Sequence, residues 1–262
     1  MPIRKRFGQH FLHDPSVIQR IVAAIAPRRG EALVEIGPGP GVLTQPLLAA
    51  CGRLDAIEID RDLAATLRER HESQGLVLHV GDVLRFDWAR LAAERGQRLR
   101  VVGNLPYNIS TPLLFGLLGQ SAHLADLCFM MQKEVVARIV AAPDTEHYGR
   151  LGVMLAPRVR SEWLFDVGPG AFRPPPRVWS SVLSMSVLPD PPAWSLGEPY
   201  AAVVNAAFGQ RRKTLRNALA ALLPASAIEA AGVDPGARAE QLAPADFGRL
   251  AQQRQAMVHL QP

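Results

Sequence analysis

From residue 14 onward the chain alternates between two hydrophobic rhythms. Asp14-Pro15 reads as a helix cap and first helical residue, and Val17, Ile18, Ile21, Val22 and Ile25 then recur at the spacing of one helical face. Ala32-Leu33-Val34-Glu35-Ile36 is instead a short apolar run ended by Gly37-Pro38-Gly39-Pro40-Gly41, as expected of a buried strand running into a glycine-rich turn. A helix is expected over Val42 to Ala50, with Pro46 tolerable only in its first turn. Further strands are predicted over 54–59, 76–80, 99–102 and 127–131. Helices are predicted from Asp60, from Thr111-Pro112, and over 133–141. Strands alternating with helices predict an α/β fold with a parallel, doubly wound sheet. Trp163 to Val167 and Val182 to Val187 follow with no obvious helix between them and are expected to form a hairpin closing the sheet's edge.

Pro189, Pro191, Pro192 and Pro199 mark a linker over 188–199. Beyond it the pattern is only helical. Leu215, Ala218, Leu219 and Leu222 share a face, Gly232 suits a helix end, and Pro244 can open a last helix containing Phe247 and Leu250. The expected organisation is a large domain over 1–187 with a basic N-terminal arm, then a small all-helical domain over 200–262. A chain of 262 residues with 48% hydrophobic content can bury that much core. Cys51 and Cys128 give no disulfide framework, which points to a reducing, cytoplasmic compartment. Arg4, Lys5 and Arg6 could begin a signal peptide, but Gly8, Gln9, His10, His13 and Asp14 interrupt any apolar segment behind them. No apolar run approaches bilayer length, so no membrane partner is expected. The histidines lack metal-ligand spacing, and no metal site is expected.

The distribution of charge adds a candidate partner. Residues 1–30 hold six basic residues against one acidic, whereas 31–187 hold 16 against 17 and 188–262 hold seven against six. A second basic knot, Arg211-Arg212-Lys213 with Arg216, stands near the start of the helical region. Arg4, Lys5, Arg6 and this knot are therefore candidate phosphate contacts on a nearly neutral body. Charge by itself is equally compatible with a solvated surface.

The chemistry lies at the strand ends. Gly37, Gly39 and Gly41 let the backbone turn sharply and approach a ligand, although Val42 stands where a dinucleotide motif would place its last glycine. Glu58 follows Gly37 by 21 residues at the end of the second long strand, the spacing of a carboxylate that accepts from both ribose hydroxyls of a nucleoside. Asp82, just past the third strand, can accept from an adenine amine. Together they favour an adenosyl ligand. Asn104-Leu105-Pro106-Tyr107 follows the fourth strand. The Asn104 amide oxygen and a backbone carbonyl, such as that of Leu105, can each accept one hydrogen of an adenine N6 amine. That arrangement favours a pyramidal nitrogen and stabilises the positive charge that develops on it. Pro106 fixes the turn, and Tyr107 can stack on a flipped base.

These motifs carry a family resemblance over nearly the whole chain. In order they are Arg6-Phe7-Gly8-Gln9-His10-Phe11-Leu12, Glu35-Ile36-Gly37-Pro38-Gly39, Asn104 to Thr111, Gln132-Lys133-Glu134-Val135-Val136, Ala171 to Val178, and Gln210-Arg211-Arg212-Lys213-Thr214. The sequence resembles the ribosomal RNA adenine dimethyltransferase family. The resemblance implies a Rossmann-like class I methyltransferase domain with a mostly parallel sheet, plus the small helical domain. It implies S-adenosyl-L-methionine as methyl donor and, as substrate, two adjacent adenosines near the 3′ end of small-subunit rRNA, within a subunit or its precursor. It implies cofactor contacts from His10, Leu12, Gly37, Glu58, Asp82 and Asn104, and Phe172 stacking on the target adenine opposite Tyr107. A monomer is expected. Three positions depart from the family pattern: His10 for asparagine, Arg177-Val178-Trp179-Ser180 for Lys-Val-Asp-Ser, and Gln241 for asparagine. The rival readings are a large-subunit rRNA adenine methyltransferase of the antibiotic-resistance type and a non-catalytic RNA-binding assembly factor. A nicotinamide-dependent dehydrogenase is disfavoured by Val42.

Overall fold

The computed structural model describes residues 10–195, 197–210 and 212–259. These divide into two compact units, one comprising residues up to Val136 with Ser161–Val187, the other Ala137–Arg160 with the residues from Leu188 onward.

The first unit starts with β1 (Phe11–Leu12) and α1 (Pro15–Ile25). The Asp14 carboxylate caps α1 by accepting from the Ser16 and Val17 amides at 2.8 and 3.2 Å. The alternation then runs through β2 (Leu33–Ile36), α2 (Thr44–Cys51), β3 (Leu54–Glu58), α3 (Arg61–His71), β4 (Leu76–Val80), α4 (Trp88–Arg95), β5 (Leu99–Asn104), α5 (Ser110–Gly119) and β6 (Leu124–Gln132). All residues of β2 and β3 are buried, as they must be when helices cover both faces of a parallel sheet. Three further strands are β7 (Val159–Val167), β8 (Phe172–Arg173) and β9 (Ser180–Val187), which follow α6 (Lys133–Val140) and α7 (Arg150–Leu155).

The seven-stranded sheet has the order β4-β3-β2-β5-β6-β9-β7. β2 pairs in parallel with both β3 and β5, while β9 runs antiparallel to β6. From β2 the chain winds outward through β3 and β4, then returns to start again at β5 on the other side. That reversal opens a crevice at the carboxyl ends of β2 and β5. β7 and β9 are neighbours at the sheet edge, as the sequence predicts. Between them the chain leaves the sheet so that β8 pairs antiparallel with β1, joining Leu12 to Phe172 and Phe11 to Arg173. Two-residue strands carry no periodicity, and the hydrophobic pattern does not predict this pairing. Nor does it predict α4.

The second unit contains α7, α8 (Glu198–Gly209), α9 (Leu215–Ala218), α10 (Ala225–Ala230) and α11 (Pro244–His259). Its boundary differs from the one expected at residue 187. Residues 137–160 belong here because the Tyr148 hydroxyl donates to the Leu242 carbonyl at 2.6 Å and the Tyr200 hydroxyl to that of Val153 at 2.8 Å. The described residues of the expected linker over 188–199 are also structured. Trp194 packs on Tyr200 at 5.2 Å, and Pro199 lies in the first turn of α8. The face expected to be shared by Leu215, Ala218, Leu219 and Leu222 runs past α9, which stops at Ala218, although Leu215 and Leu219 are fully buried. Pro244 opens α11, and Phe247 and Leu250 are buried. Among the described residues no helix is long and apolar enough to cross a membrane.

Candidate active site

The carboxyl ends of β2, β3, β4 and β5 open onto one cleft of about 340 Å³. His10, Leu12, Gly37, Glu58, Asp82, Asn104, Leu105, Pro106, Tyr107 and Phe172 all line it, although they are scattered over most of the first unit's sequence.

Below the cleft, Gly37, Gly39 and Gly41 all take positive φ, at 62, 56 and 88°. A side chain at Gly41 would also drive into Leu67, since a Cβ there lies 2.8 Å from its methyl carbon. At Gly37 no atom lies within 4 Å of where a Cβ would project, so a ligand can approach the backbone from that side. Glu58 is buried, and its carboxylate accepts from the Gly39 and Asp60 amides at 3.1 and 2.9 Å. It thus ties the glycine turn to β3 and keeps acceptor capacity for ligand hydroxyls. Burial pushes its carboxyl above the usual range, and the two amides pull it back. Asp82 is exposed and accepts from the Leu84 amide at 3.0 Å, which fixes the turn after β4.

Asn104 is half-buried at the last position of β5, and Leu105 is anchored by donating its amide to the Met130 carbonyl at 3.0 Å. The Pro106 carbonyl accepts from the Ile109 amide and the Ser110 hydroxyl, both at 3.1 Å. No donor among the described residues bonds the Leu105 carbonyl. Of the two carbonyls, Leu105's is therefore the one left for a substrate amine. The Tyr107 hydroxyl is 3.0 Å from that of Ser180, and burial raises its pKa above the ordinary phenol value. Its ring stacks on His10, with centroids 5.9 Å apart and planes at 28°. His10 is itself held by the Pro174 carbonyl, 2.7 Å from Nδ1. Phe172 lies on the same cleft but is almost wholly buried, and in this structure the ring against Tyr107 is that of His10.

Several lining residues are not singled out by sequence spacing. Glu35 is completely buried behind the glycine turn and accepts from the Thr44 hydroxyl at 2.7 Å. Burial, with Glu58 nearby, pushes its carboxyl up to about 7 against the pull of Thr44. Ile59 and Leu84 are half-exposed apolar side chains on the cleft wall, suited to flank a flat heterocycle. A signal for them exists in the sequence, since each stands next to or near a strand-end carboxylate. Arg4, Lys5, Arg6 and Arg211 lie outside the described residues. Arg212, Lys213 and Arg216 belong to the helical unit, where Arg212 and Lys213 are exposed, as is Arg216.

The model of the family described as ribosomal RNA adenine dimethylase matches residues 2–255. The chain is 55% identical over 251 residues to a protein of Methylococcus capsulatus named ribosomal RNA small subunit methyltransferase A, covering 95% of this chain and 97% of the relative. The Pseudomonas aeruginosa protein of the same name is 52% identical over 252 residues, covering 95% and 94%. A dimethyladenosine transferase from Plasmodium falciparum has the same fold, with a TM-score of 0.79 at 22% identity over 92% of this chain and 96% of that one. The 23S rRNA methyltransferase ErmE superimposes with a TM-score of 0.70 at 25% identity, covering 94% and 99%.

Proposed function

This chain belongs to the ribosomal RNA adenine dimethylase family, and from that membership we propose that it transfers methyl groups from S-adenosyl-L-methionine to N6 of two adjacent adenosines near the 3′ end of small-subunit (16S) rRNA. The product is N6,N6-dimethyladenosine, made in the cytoplasm by a monomer during small-subunit biogenesis. The observation that carries the reading is the Asn104-Leu105-Pro106-Tyr107 loop opening onto the same cleft as Glu58 and the glycine turn.

The residues present fit an adenosyl sulfonium ligand. Glu58 accepts from the ribose hydroxyls, Asp82 from the adenine amine, and Ile59 and Leu84 flank the purine. The open side of Gly37 admits the ligand against the backbone, with His10, Leu12 and Asn104 completing the contacts. When bound, S-adenosyl-L-methionine supplies an electrophilic methyl on its sulfonium. The chain supplies position and polarity. The Asn104 amide oxygen and the Leu105 carbonyl each accept one N6 hydrogen and hold the nitrogen lone pair free. Both oxygens also stabilise the charge that grows on nitrogen. Tyr107, steadied by Ser180, stacks on the flipped base in place of the His10 ring, and Phe172 backs the same cleft from its buried position. No strong general base is needed, because the amine becomes acidic only as it gains the methyl. Arg4, Lys5, Arg6, Arg211, Arg212, Lys213 and Arg216 contact phosphates.

The test is label transfer from S-adenosyl-L-methionine to unmethylated small and large ribosomal subunits, followed by nucleoside analysis. Dimethyladenosine in small-subunit rRNA is expected, and label in the large subunit instead would transfer the protein to the antibiotic-resistance type. Under saturating cofactor, Asn104→Ala should lower the single-turnover rate by about two orders of magnitude, as for loss of one preorganised polar group. A wild-type rate in that variant would remove Asn104 from the chemistry.

A further inference from the structure

Residues 173–179 join Phe172, which lines the cleft on β8, to Ser180 at the start of β9. The segment is pinned at both ends. The Pro174 carbonyl holds His10, and the Trp179 carbonyl accepts from the Lys133 amide at 2.9 Å. Next in sequence, Ser180 holds the Tyr107 hydroxyl. Trp179 is thus one residue in sequence from the group that steadies the substrate-stacking tyrosine. Trp179 is 54% exposed and its neighbour Val178 is 43% exposed, so two adjacent large apolar residues face solvent. The ring is nevertheless ordered by its surroundings. One edge lies over Gly168, where a Cβ would approach it to 3.5 Å, and the Lys133 ammonium sits 5.9 Å from its centroid while paired to Asp166 at 2.6 Å. Arg173 and Arg177 are exposed on the same short segment, and no carboxylate among the described residues pairs with them. An oriented, exposed aromatic face on the same short segment as two unpaired guanidinium groups matches a single strand of nucleic acid, with a base for the ring and phosphates for the arginines.

We propose that Trp179 is a stacking platform for an unpaired rRNA base flanking the target adenosines, with Arg173 and Arg177 holding the adjoining phosphates. The platform holds the strand while the target base turns into the cleft, so it contributes to docking and leaves the transfer step alone. The inference rests on the small-subunit rRNA reading, which wild-type label transfer tests separately.

The decisive measurements are affinity for unmethylated small subunits and for protein-free 16S rRNA, each as a function of salt. Trp179→Ala should weaken both by about tenfold, the loss of one base–aromatic stack, with the salt slope unchanged. Trp179→Phe should restore most of the affinity. Arg173→Ala/Arg177→Ala should instead flatten the slope by about 0.7–0.9 for each phosphate that is no longer neutralised. S-adenosyl-L-methionine affinity and the single-turnover rate at saturating subunits should stay at wild-type values in all three variants. Wild-type RNA affinity in Trp179→Ala would overturn the proposal. So would a loss confined to whole subunits, which would assign the ring to a ribosomal protein. A loss of cofactor affinity in parallel with melting temperature would reduce Trp179 to a structural role.

Discussion

Glu35 and Glu58 are two buried carboxyls on adjacent strands, and their environments separate them. Glu58 receives two backbone amides at the cleft surface, whereas Glu35 has the single hydroxyl of Thr44 and lies completely buried. With the Glu35 carboxyl raised from 4.5 to about 7, the folded protein holds this proton more tightly than the unfolded chain. Its contribution to stability is therefore full in acid, below the unfolded value, and is lost as pH rises through about 7. Glu35→Gln keeps an oxygen to accept from Thr44 and removes the ionisation. The variant should match wild type near pH 4 and exceed it above neutrality, by a margin of about 3 kcal/mol. Thermal melts of both proteins from about pH 4 to about pH 8.5 check this, and parallel curves would show that Glu35 is not the titrating group. Glu35 was legible as part of a glycine motif, but one alternation step in a strand does not reveal that its side chain ends behind the turn.

At the scale of elements, the pairing of β2 with β5 holds the site together. Ile36 and Gly103 face each other across this pair, one residue before Gly37 on one strand and one before Asn104 on the other. A Cβ at Gly103 would come within 2.5 Å of the Ile36 carbonyl oxygen, so the two backbones are as close as glycine allows. Gly103→Ala must push the strands apart, at a cost of about 1–3 kcal/mol for overpacking. Because both cleft loops start at this point, the variant should lose several degrees of melting temperature and also weaken cofactor binding and turnover together. Calorimetry and single-turnover kinetics measure the two effects, and a stability loss with an intact site would show that the loops tolerate the shift. The long elements of this unit were legible because apolar runs and capping residues such as Asp14 and Asp60 leave local marks. The β1–β8 pair was not, since two-residue strands gain their hydrogen bonds from a partner some 160 residues away in the chain.

For the whole molecule, the positive charge is concentrated at the N-terminal arm and the 211–216 knot while the rest is close to neutral. Exposed Arg212 and Lys213 stand on the helical unit, just before the buried anchor Leu215. Arg212→Ala/Lys213→Ala should weaken small-subunit binding and lower the slope of log affinity against log salt by about 0.7–0.9 for each phosphate these side chains neutralise. Cofactor affinity and the choice of adenosine should not change. Binding titrations over a salt series decide the matter. An unchanged slope with a lowered melting temperature would mean that the knot stabilises the helical unit and does not dock RNA.

By itself the sequence determined the alternation of strands and helices, the glycine turn, the strand-end carboxylates and the Asn104 motif. Each of these is written in local spacing, because a turn, a cap or a strand end needs particular residues within a few positions. The tertiary structure alone decided that the chain reverses between β2 and β5. That reversal brings Gly37, Glu58, Asp82 and Asn104 to one cleft and adds His10, Leu12 and Phe172 through the β1–β8 pair. It also decided that residues 137–160 pack with the C-terminal helices, through tyrosine hydroxyls that reach carbonyls far along the chain. Such contacts depend on burial and on partners distant in sequence, and neither is encoded in the period of a hydrophobic pattern.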